Sequence, residues 1–495
     1  MSRIASGPGL CALALVVAGT AAAAGPSSAS IAASSLGFAK PVYVDQHLAG
    51  GEPFVIRSSK GNLVYSAHEG DTHLLRDGVV KSPVGTTDFV VNQRNQVNMW
   101  TSADQGGTWQ RVNLAGTGFF TNPIYNSGFS DPDLTEDEGG VIYNTGINLA
   151  NDALFSSPDG GKTWPTGTIS CHNGDRPWLA GGHANEVFMA TDTAEGAGNG
   201  HTIFRSTNAG ASCANAGISD NGAYHQGLYS GDGKLYYDHL DGSLIEPAVF
   251  TSSAGNVSGV GVSILPNASR AFDGTAPAKF TPHLAARSTM FAHWPAMAID
   301  RANNLYVVWD TADRKAGTSG GCNGAATLLP NSIMMSSSTD HGRTWSKPLV
   351  VAHPGTTVLW PWIQAGANGA VSVVWYQYDR KTDPDCGAGH VYIKAATIFD
   401  ATTTHAVIHR SFVVNRPIHE GGICQGGTGC VVSGQDRRLG DFLTNAVDPR
   451  GCVLVASADT TLLDPITKAQ LPTARPIFVR QNRGMGLLGK PCGPA

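Results

Sequence analysis

The chain has 495 residues and a net charge of −5, and only 14% of its residues are charged. Its 61 glycines and 27 prolines indicate many short strands joined by turns. No block of basic residues occurs, which excludes the electrostatic footprint of a nucleic-acid-binding protein. A chain of this length suggests about three domains, but one closed all-β repeat fold can take up most of it.

The first 40 residues are predicted to precede the folded part. Arg3, the apolar run from Leu10 to Val17 and the small residues from Thr20 to Gly25 form the pattern of a secretory signal peptide, so removal of residues 1–24 is expected. A plain apolar N-terminal helix is the alternative. The run is too short to span a bilayer, and residues 25–40 are expected to be a flexible leader. We therefore predict a secreted protein, extracellular or periplasmic, without a membrane span.

Beyond residue 40 the sequence repeats a pair of short apolar strands joined by a Gly or Asn turn. A lone strand, residues 41–45, comes first. The seven pairs begin at Pro53, Pro132, Pro177, Gly227, Pro295, Pro361 and Phe442. Their spacing is typical of four-stranded blades, so residues 41–495 are predicted to form one all-β, seven-bladed β-propeller. The last unit stops after three strands, and we expect the lone strand to complete that blade and close the ring. The pair at Gly227 is weak, which leaves six blades as the alternative.

An eight-residue pattern, Ser-x-Asp-x-Gly-x-Thr-Trp, follows several of these pairs. It occupies residues 102–109, 157–164 and 338–345, and a worn copy occupies residues 206–213. Asp or Asn hydrogen-bonds its own backbone across a turn, Gly adopts a positive φ, and Trp packs back onto the strands. The pattern therefore predicts a tight hairpin between the third and fourth strands of a blade. It resembles the Asp box, or BNR repeat, of the sialidase-type β-propellers, which implies a glycan-acting propeller.

Eight cysteines remain after the signal peptide, and an even number in a secreted chain predicts disulfides. Pairing of nearest neighbours costs the least loop-closure entropy. It joins Cys171 to Cys213, Cys322 to Cys386, Cys424 to Cys430, and Cys452 to Cys492. No Cys-x-x-Cys motif occurs, so no structural zinc site is expected.

Propeller geometry predicts where a functional site lies. The innermost strand of each blade starts on the face where the second strand ends, and the repeat turns lie on the opposite face. At these positions the candidates for catalysis are Glu52, His68, Asp131, Asp175, Tyr376 and Asp441. The candidates for substrate binding are Arg176, His293, Trp294, Trp360, Arg437 and Arg438. Ends of second strands add Asp238, His239 and Asp310. A purely structural interpretation is the alternative, with acids capping turns and aromatic rings filling gaps between blades.

The candidate side chains fit more than one chemistry. Paired carboxyl groups, or a carboxyl group with Tyr376 as nucleophile as in sialidases, would cleave a glycosidic bond. The sialidase motif Phe/Tyr-Arg-Ile-Pro, aligned on Pro53, places Gly51 where that family has its first Arg. The primary hypothesis is a sialidase-like glycoside hydrolase. The alternatives are a polysaccharide lyase, with His or Tyr as base and Arg opposite a uronate carboxylate, and a non-catalytic propeller that binds glycan or protein. We expect a monomer with a carbohydrate partner, no cofactor and no metal.

Overall fold

The computed structural model describes residues 35–68, 74–76, 79–81, 97–112, 130–148, 151–169, 171, 174–192, 201–218, 233–251, 257–274, 280–288, 295–312, 318–320, 326–427, 430, 435–471 and 473–493. These residues form seven antiparallel sheets arranged as the blades of a β-propeller. The predicted seven-bladed all-β fold is confirmed, and six blades is wrong. The predicted signal peptide, residues 1–24, lies outside the described residues.

Each blade runs from its innermost to its outermost strand in chain order. Blade 1 contains Phe54–Arg57, Leu63–Ala67, Asn98–Ser102 and Gln110–Arg111. Blade 2 contains Ser130–Glu136, Ile142–Asn148, Asn151–Ser157 and Thr166–Thr168. Blade 3 contains Trp178–Gly181, Val187–Asp192, His201–Ser206 and Ala214–Ile218. Blade 4 contains Tyr236–Asp238, Ser243–Thr251, Val257–Leu265 and Thr281–Ala286, with a short helix, Ala268–Phe272, before its last strand.

The remaining blades follow the same order. Blade 5 contains Ala296–Ile299, Leu305–Thr311, Ser332–Ser338 and Leu349–Ala352. Blade 6 contains Val358–Ala365, Val371–Tyr378, His390–Phe399 and Val407–Phe412, with His419–Glu420 added to its third strand. Blade 7 contains Thr444–Val447, Val453–Asp459 and Arg475–Arg483. Two hairpins stand apart from the blades, Leu74–Arg76 with Val79–Lys81 and Thr318–Gly320 with Ala326–Leu328.

The N-terminal strand closes the ring, as predicted. Val42–Tyr43 pairs with the last strand of blade 7 through Val42 opposite Phe478 and Tyr43 opposite Ile477. The strand Gly37–Phe38 pairs with the same partner further along. These two residues fall within the predicted flexible leader, residues 25–40, so that boundary is corrected. Closure gives the third strand of blade 7 a hydrogen-bonded neighbour on its outer side and removes an exposed edge.

The repeat turns have the same internal hydrogen bonds in blades 1, 2, 3 and 5. In blade 1, Asp104 Oδ1 accepts hydrogen bonds from the Ser102 hydroxyl at 2.8 Å and from the Thr108 amide at 2.9 Å. Ser102 Oγ in turn accepts from the Gly106 amide at 2.8 Å. The fourth and fifth residues of each turn have positive φ, between 56° and 91°. A Cβ on Gly106 would overlap the ring of Phe478 in the preceding blade, so this turn requires glycine for packing as well as for φ.

Aromatic side chains from four blades fill the axis of the ring. Trp178 of blade 3 lies 6.1 Å from Trp362 of blade 6 and 5.6 Å from Phe442 of blade 7, measured between ring centroids. Phe54 of blade 1 lies 5.5 Å from Trp362. Blades 3 and 6 are not neighbours, so these contacts cross the axis. The aromatic plug therefore separates the two mouths of the channel.

The sequence pattern predicts the wrong strands for the weak repeat at Gly227. The sequence pattern made Tyr236 the end of a second strand, but Tyr236–Asp238 is the innermost strand of blade 4. The true second strand is Ser243–Thr251. This blade lacks both the proline ahead of its inner strand and the repeat turn, and those two features set the register in other blades. Asp238 and His239 consequently lie on the face opposite the one predicted.

Three predicted disulfides are present, Cys171–Cys213, Cys424–Cys430 and Cys452–Cys492. Cys386 is also disulfide-bonded, while its predicted partner, Cys322, lies outside the described residues. No helix among the described residues is long and apolar enough to cross a membrane.

Candidate functional site

A residue near the start of the inner strand has a left-handed backbone in several blades. The φ angles are 48° at Glu52, 51° at Asp131, 53° at Arg176 and 54° at Trp360, and each of these residues precedes a proline. Gly440 has a φ of 70° one residue before Asp441 in blade 7. This conformation is uncommon for residues other than glycine and recurs here at one mouth of the channel.

A buried cluster from blades 1 and 2 occupies this mouth. His68 follows the second strand of blade 1, and its Nε2 hydrogen-bonds Oε2 of Glu52. The same Nε2 lies 3.8 Å from Oδ1 of Asp131 and 3.2 Å from Oγ of Ser130. The Ser130 hydroxyl donates to Asp131 Oδ1. The imidazole therefore lies between two carboxyl groups contributed by neighbouring blades.

Blade 7 adds an ion pair to the same cluster. Arg437 donates to both carboxylate oxygens of Asp441, with Nη2 at 2.7 Å from Oδ2. Its Nη2 also lies 3.6 Å from Oε1 of Glu52, a buried oxygen that has no hydrogen-bond partner within the described part of the chain. A Cβ on Gly440 would overlap the Glu52 side chain, so glycine is required for this close approach. The site thus joins the first and last blades.

Exposure distinguishes the members of the cluster. The side chains of Glu52 and His68 are 1% and 4% exposed, whereas that of Asp131 is 18% exposed. Burial, with a further contribution from the charge of Glu52, raises the pKa of Asp131 to about 6, while His68 opposes the shift. A carboxyl group with such a pKa is protonated in mildly acidic solution and is able to act as a general acid or base.

The three donor atoms of Glu52, His68 and Asp131 lie within 4.8 Å of one another, a separation at which they could hold a metal ion. His68 and Glu52 are already joined by a hydrogen bond, and the Ser130 hydroxyl contacts both His68 and Asp131. These hydrogen bonds hold the imidazole between the two carboxyl groups.

The other predicted residues are arranged differently. Tyr376 is fully buried, and its hydroxyl lies 3.0 Å from Ser457 Oγ of blade 7. Trp360 is also buried and lies edge-on to Tyr376, with ring centroids 5.8 Å apart. In this conformation neither ring offers a face to a sugar, and burial raises the pKa of the Tyr376 hydroxyl. Both are therefore placed to support the blade junction.

Three charged candidates have other contacts. Arg438 is buried and donates from Nε and Nη2 to Asp436, with Nη2 at 2.6 Å from Oδ2, and from Nη1 to the Leu471 carbonyl. Asp175 is exposed, and its Oδ1 accepts the Arg176 amide at 2.8 Å. Arg176 itself is partly exposed. His293 and Trp294 lie outside the described residues.

Sequence reasoning missed two members of the cluster, and it gave little weight to Asp310, a buried carboxyl group elsewhere in the ring. Ser130 directly precedes Asp131, and Gly440 directly precedes Asp441. Their places next to predicted site residues were the only signal in the sequence that could have identified them. Asp310, at the end of the second strand of blade 5, is 2% exposed, and burial raises its pKa to about 8. Its Oδ2 accepts the Trp360 amide at 3.1 Å. Asp310 therefore stays largely protonated at neutral pH, whereas Asp131 is protonated only in mildly acidic solution.

A cavity of about 530 Å³ lies at the opposite mouth of the channel. Its lining includes Asp238 and His239 of blade 4, Asn303 of blade 5 and Asp448 of blade 7. These residues follow inner strands, so they lie on the face of the repeat turns. The sequence pattern did not indicate a concave surface on this face.

The sheets and their order define the chain as a seven-bladed β-propeller. No protein-family model and no curated protein matches it. A protein of unknown function from Dyadobacter fermentans is 13% identical, with a TM-score of 0.44 over 90% of this chain and 100% of that one. A leech intramolecular trans-sialidase is 12% identical, with a TM-score of 0.38 over 90% and 69%. A Penicillium chrysogenum α-L-arabinanase is 11% identical, with a TM-score of 0.40 over 90% and 97%. Likenesses this distant carry no argument about activity.

Proposed function

We propose that the protein is a secreted glycoside hydrolase whose active centre is the cluster at the mouth over blades 1, 2 and 7. The observation that carries the proposal is Asp131, a partly exposed carboxyl group with a pKa raised to about 6, which lies 3.8 Å from a buried His that hydrogen-bonds a buried Glu. Retaining and inverting glycosidases both need a carboxyl group that is protonated before the glycosidic bond breaks.

Asp131 is the group that would donate this proton. Its side chain is more exposed than those of Glu52 and His68. Asp131 is therefore the member of the three that is able to reach a glycosidic oxygen. After donation the carboxylate lies 3.8 Å from His68 Nε2, where a protonated imidazole would stabilise the new charge. The hydrogen bond from Ser130 orients the same carboxyl group.

The buried members act through Asp131. Glu52 holds His68 by a hydrogen bond and raises the pKa of Asp131 by its charge. Arg437 lies 3.6 Å from Glu52 and partly neutralises its charge. Because both of its Nη atoms already donate to Asp441, Arg437 is not placed to bind a substrate carboxylate. This arrangement favours a neutral glycan over sialic acid or a uronate. Arg176, partly exposed at the same rim, is the remaining candidate for contact with an anionic sugar.

Secretion is part of the proposal. Disulfides persist in oxidising compartments, and this chain has three described disulfides behind a signal-like N-terminus. A polymeric glycan outside the cell would reach a secreted protein without having to cross a membrane. The proposed partner is therefore an extracellular polysaccharide or oligosaccharide.

To test this, the protein is incubated with a panel of neutral, sialylated and uronate-containing glycans. The release of reducing ends and the absorbance at 235 nm are measured for each glycan. New reducing ends alone support the proposal. Both signals together indicate a lyase, and neither signal on any glycan indicates a binding protein; each of these outcomes contradicts the proposal.

The variant Asp131→Asn should lose about 100-fold or more in kcat, the usual range for an acid–base group. The matched control is Asp400→Asn. Asp400 is exposed, has a φ of 55° like that of Asp131, and lies in a turn between third and fourth strands on the opposite face. Equal activity of the two variants would remove Asp131 from the mechanism.

A further inference from the structure

A second group of ligating side chains lies on the face of the repeat turns, between blades 4 and 5. Asp238 and Asp241 belong to the turn between the first two strands of blade 4, and His341 belongs to the repeat turn of blade 5. One donor atom from each of the three lies within 4.8 Å of the others. His341 Nδ1 is 3.5 Å from Asp241 Oδ2 and 3.8 Å from Asp238 Oδ2.

The turn of blade 4 leaves one oxygen of each carboxylate facing His341. Asp238 Oδ1 accepts the Leu240 amide at 2.9 Å, and Asp241 Oδ1 accepts the Ser243 amide at 2.9 Å. Each carboxylate is therefore fixed by its own backbone. Asp238 is only 2% exposed, and its Oδ2 has no hydrogen-bond partner among the described residues. A buried carboxylate oxygen without a donor is costly, and a cation bound by this atom would offset that cost.

We propose that Asp238, Asp241 and His341 bind a divalent transition-metal ion of the Zn²⁺ class. Imidazole nitrogen with carboxylate oxygen suits Zn²⁺, whereas Ca²⁺ prefers oxygen ligands alone. Ligands about 2.0–2.2 Å from a tetrahedral Zn²⁺ are separated from each other by roughly 3.3 Å. The separations of 3.5 and 3.8 Å need only a small inward movement to reach this geometry.

The ion would join two blades. A Cβ on Gly342, next to His341, would lie 3.0 Å from Ile264 of blade 4, so the repeat turn of blade 5 packs directly on that blade. Asn303, in the inner turn of blade 5, has its side-chain amide 3.2 Å from both ring nitrogens of His341, so it packs against the imidazole. A metal held this way would tie the two turns together at the rim of the 530 Å³ cavity, to which Asp238 and Asn303 also contribute.

The experiment is a titration of the EDTA-treated, desalted full chain with Zn²⁺ by calorimetry, followed by thermal unfolding with and without the ion. The expected result is one saturable site and a higher melting temperature in Zn²⁺. His341→Gln and Asp238→Asn should each weaken binding at least tenfold. Gln105 occupies the equivalent position of the blade 1 turn with a φ of 62°, so His341→Gln is compatible with this backbone conformation.

The control is His183→Gln. His183 Nδ1 lies 3.0 Å from Glu138 Oε2 in a separate imidazole–carboxylate pair, so its loss should leave Zn²⁺ binding unchanged. Three outcomes would overturn the proposal. These are no saturable Zn²⁺ binding, unchanged affinity in His341→Gln, or loss of binding in the His183 control. Tighter binding of Ca²⁺ than of Zn²⁺ would overturn the assigned class of ion. Binding and melting are measured without substrate, so the result is independent of the proposed hydrolase activity.

Discussion

Replacement of Asp131 by Asn should stabilise the fold while it removes activity. Burial first and Glu52 second raise the pKa of Asp131 from 3.8 to about 6. The folded chain therefore holds this proton more tightly than the unfolded chain, so stability falls as the pH rises from about 4 to about 6 and stays reduced above that. A shift of roughly 2 pKa units corresponds to about 3 kcal/mol. The side chain is 18% exposed, which leaves little solvent screening to reduce the effect.

The assay is thermal unfolding of wild type and Asp131→Asn at pH 7.5 and at pH 4. A chain of this length has an unfolding entropy near 1 kcal/mol per kelvin, so the expected gain at pH 7.5 is about 3 °C. At pH 4 the gain should nearly vanish, because the folded wild-type carboxyl group is already protonated. Asn also tolerates the φ of 51° at this position. A lower melting temperature at pH 7.5, or an equal gain at both pH values, would refute the reasoning; Asp400→Asn should show no shift.

Four further outcomes are expected. Asp104→Ala should lower stability by about 1–2 kcal/mol and leave specific activity unchanged, because it removes a turn acceptor on the opposite face. The pKa of Asp104 is lowered to about 2. In wild type the stability that Asp104 contributes is therefore present above pH 4 and is lost as the pH falls through 2. Acid titration monitored by circular dichroism would show this loss. The rate of hydrolysis should fall above about pH 6, as Asp131 loses its proton; an alkaline limb that persists in Asp131→Asn would contradict this. Gly440→Ala should reduce kcat about 100-fold by displacing Glu52, and unchanged kinetics would contradict the close approach. Intact-mass analysis with a thiol reagent should detect the eight thiols of the mature chain only after reduction, and labelling of native protein would contradict the pairing.

The repeat architecture could be predicted because its signals are local. The Ser, Asp and Gly of each repeat turn bond to one another within four residues, so the pattern survives in sequence. The closing strand was also predictable, because blade 7 stops after three strands. Blade 4 was not, since Tyr236 and Tyr237 give an apolar strand without the proline or repeat turn that sets register elsewhere. Its short helix, Ala268–Phe272, replaces that turn.

The position of a site residue along its strand was predictable, but its contacts were not. Glu52, Asp131 and Asp441 meet because each lies within three residues of the start of an inner strand. Arg438 is the next residue after Arg437, yet its side chain pairs with Asp436 and not with the cluster. Tyr376 lies on the second strand that the sequence indicated, yet its side chain is fully buried at the junction with blade 7. These differences arise from packing between blades that are distant in sequence, which no local pattern records.

The backbone conformation at the channel mouth links the fold to the proposed chemistry. A residue before proline is normally extended, and a left-handed conformation costs about 1 kcal/mol or more for residues other than glycine. Nevertheless Glu52, Asp131, Arg176 and Trp360 all adopt it directly before a proline. Closure of the ring and the aromatic plug below hold these positions, because the inner strands cannot shift without breaking contacts across the axis. The stability of the propeller thus offsets the backbone strain that holds these residues at one mouth. A preorganised acid–base site, as proposed here, requires side chains that are fixed in this way.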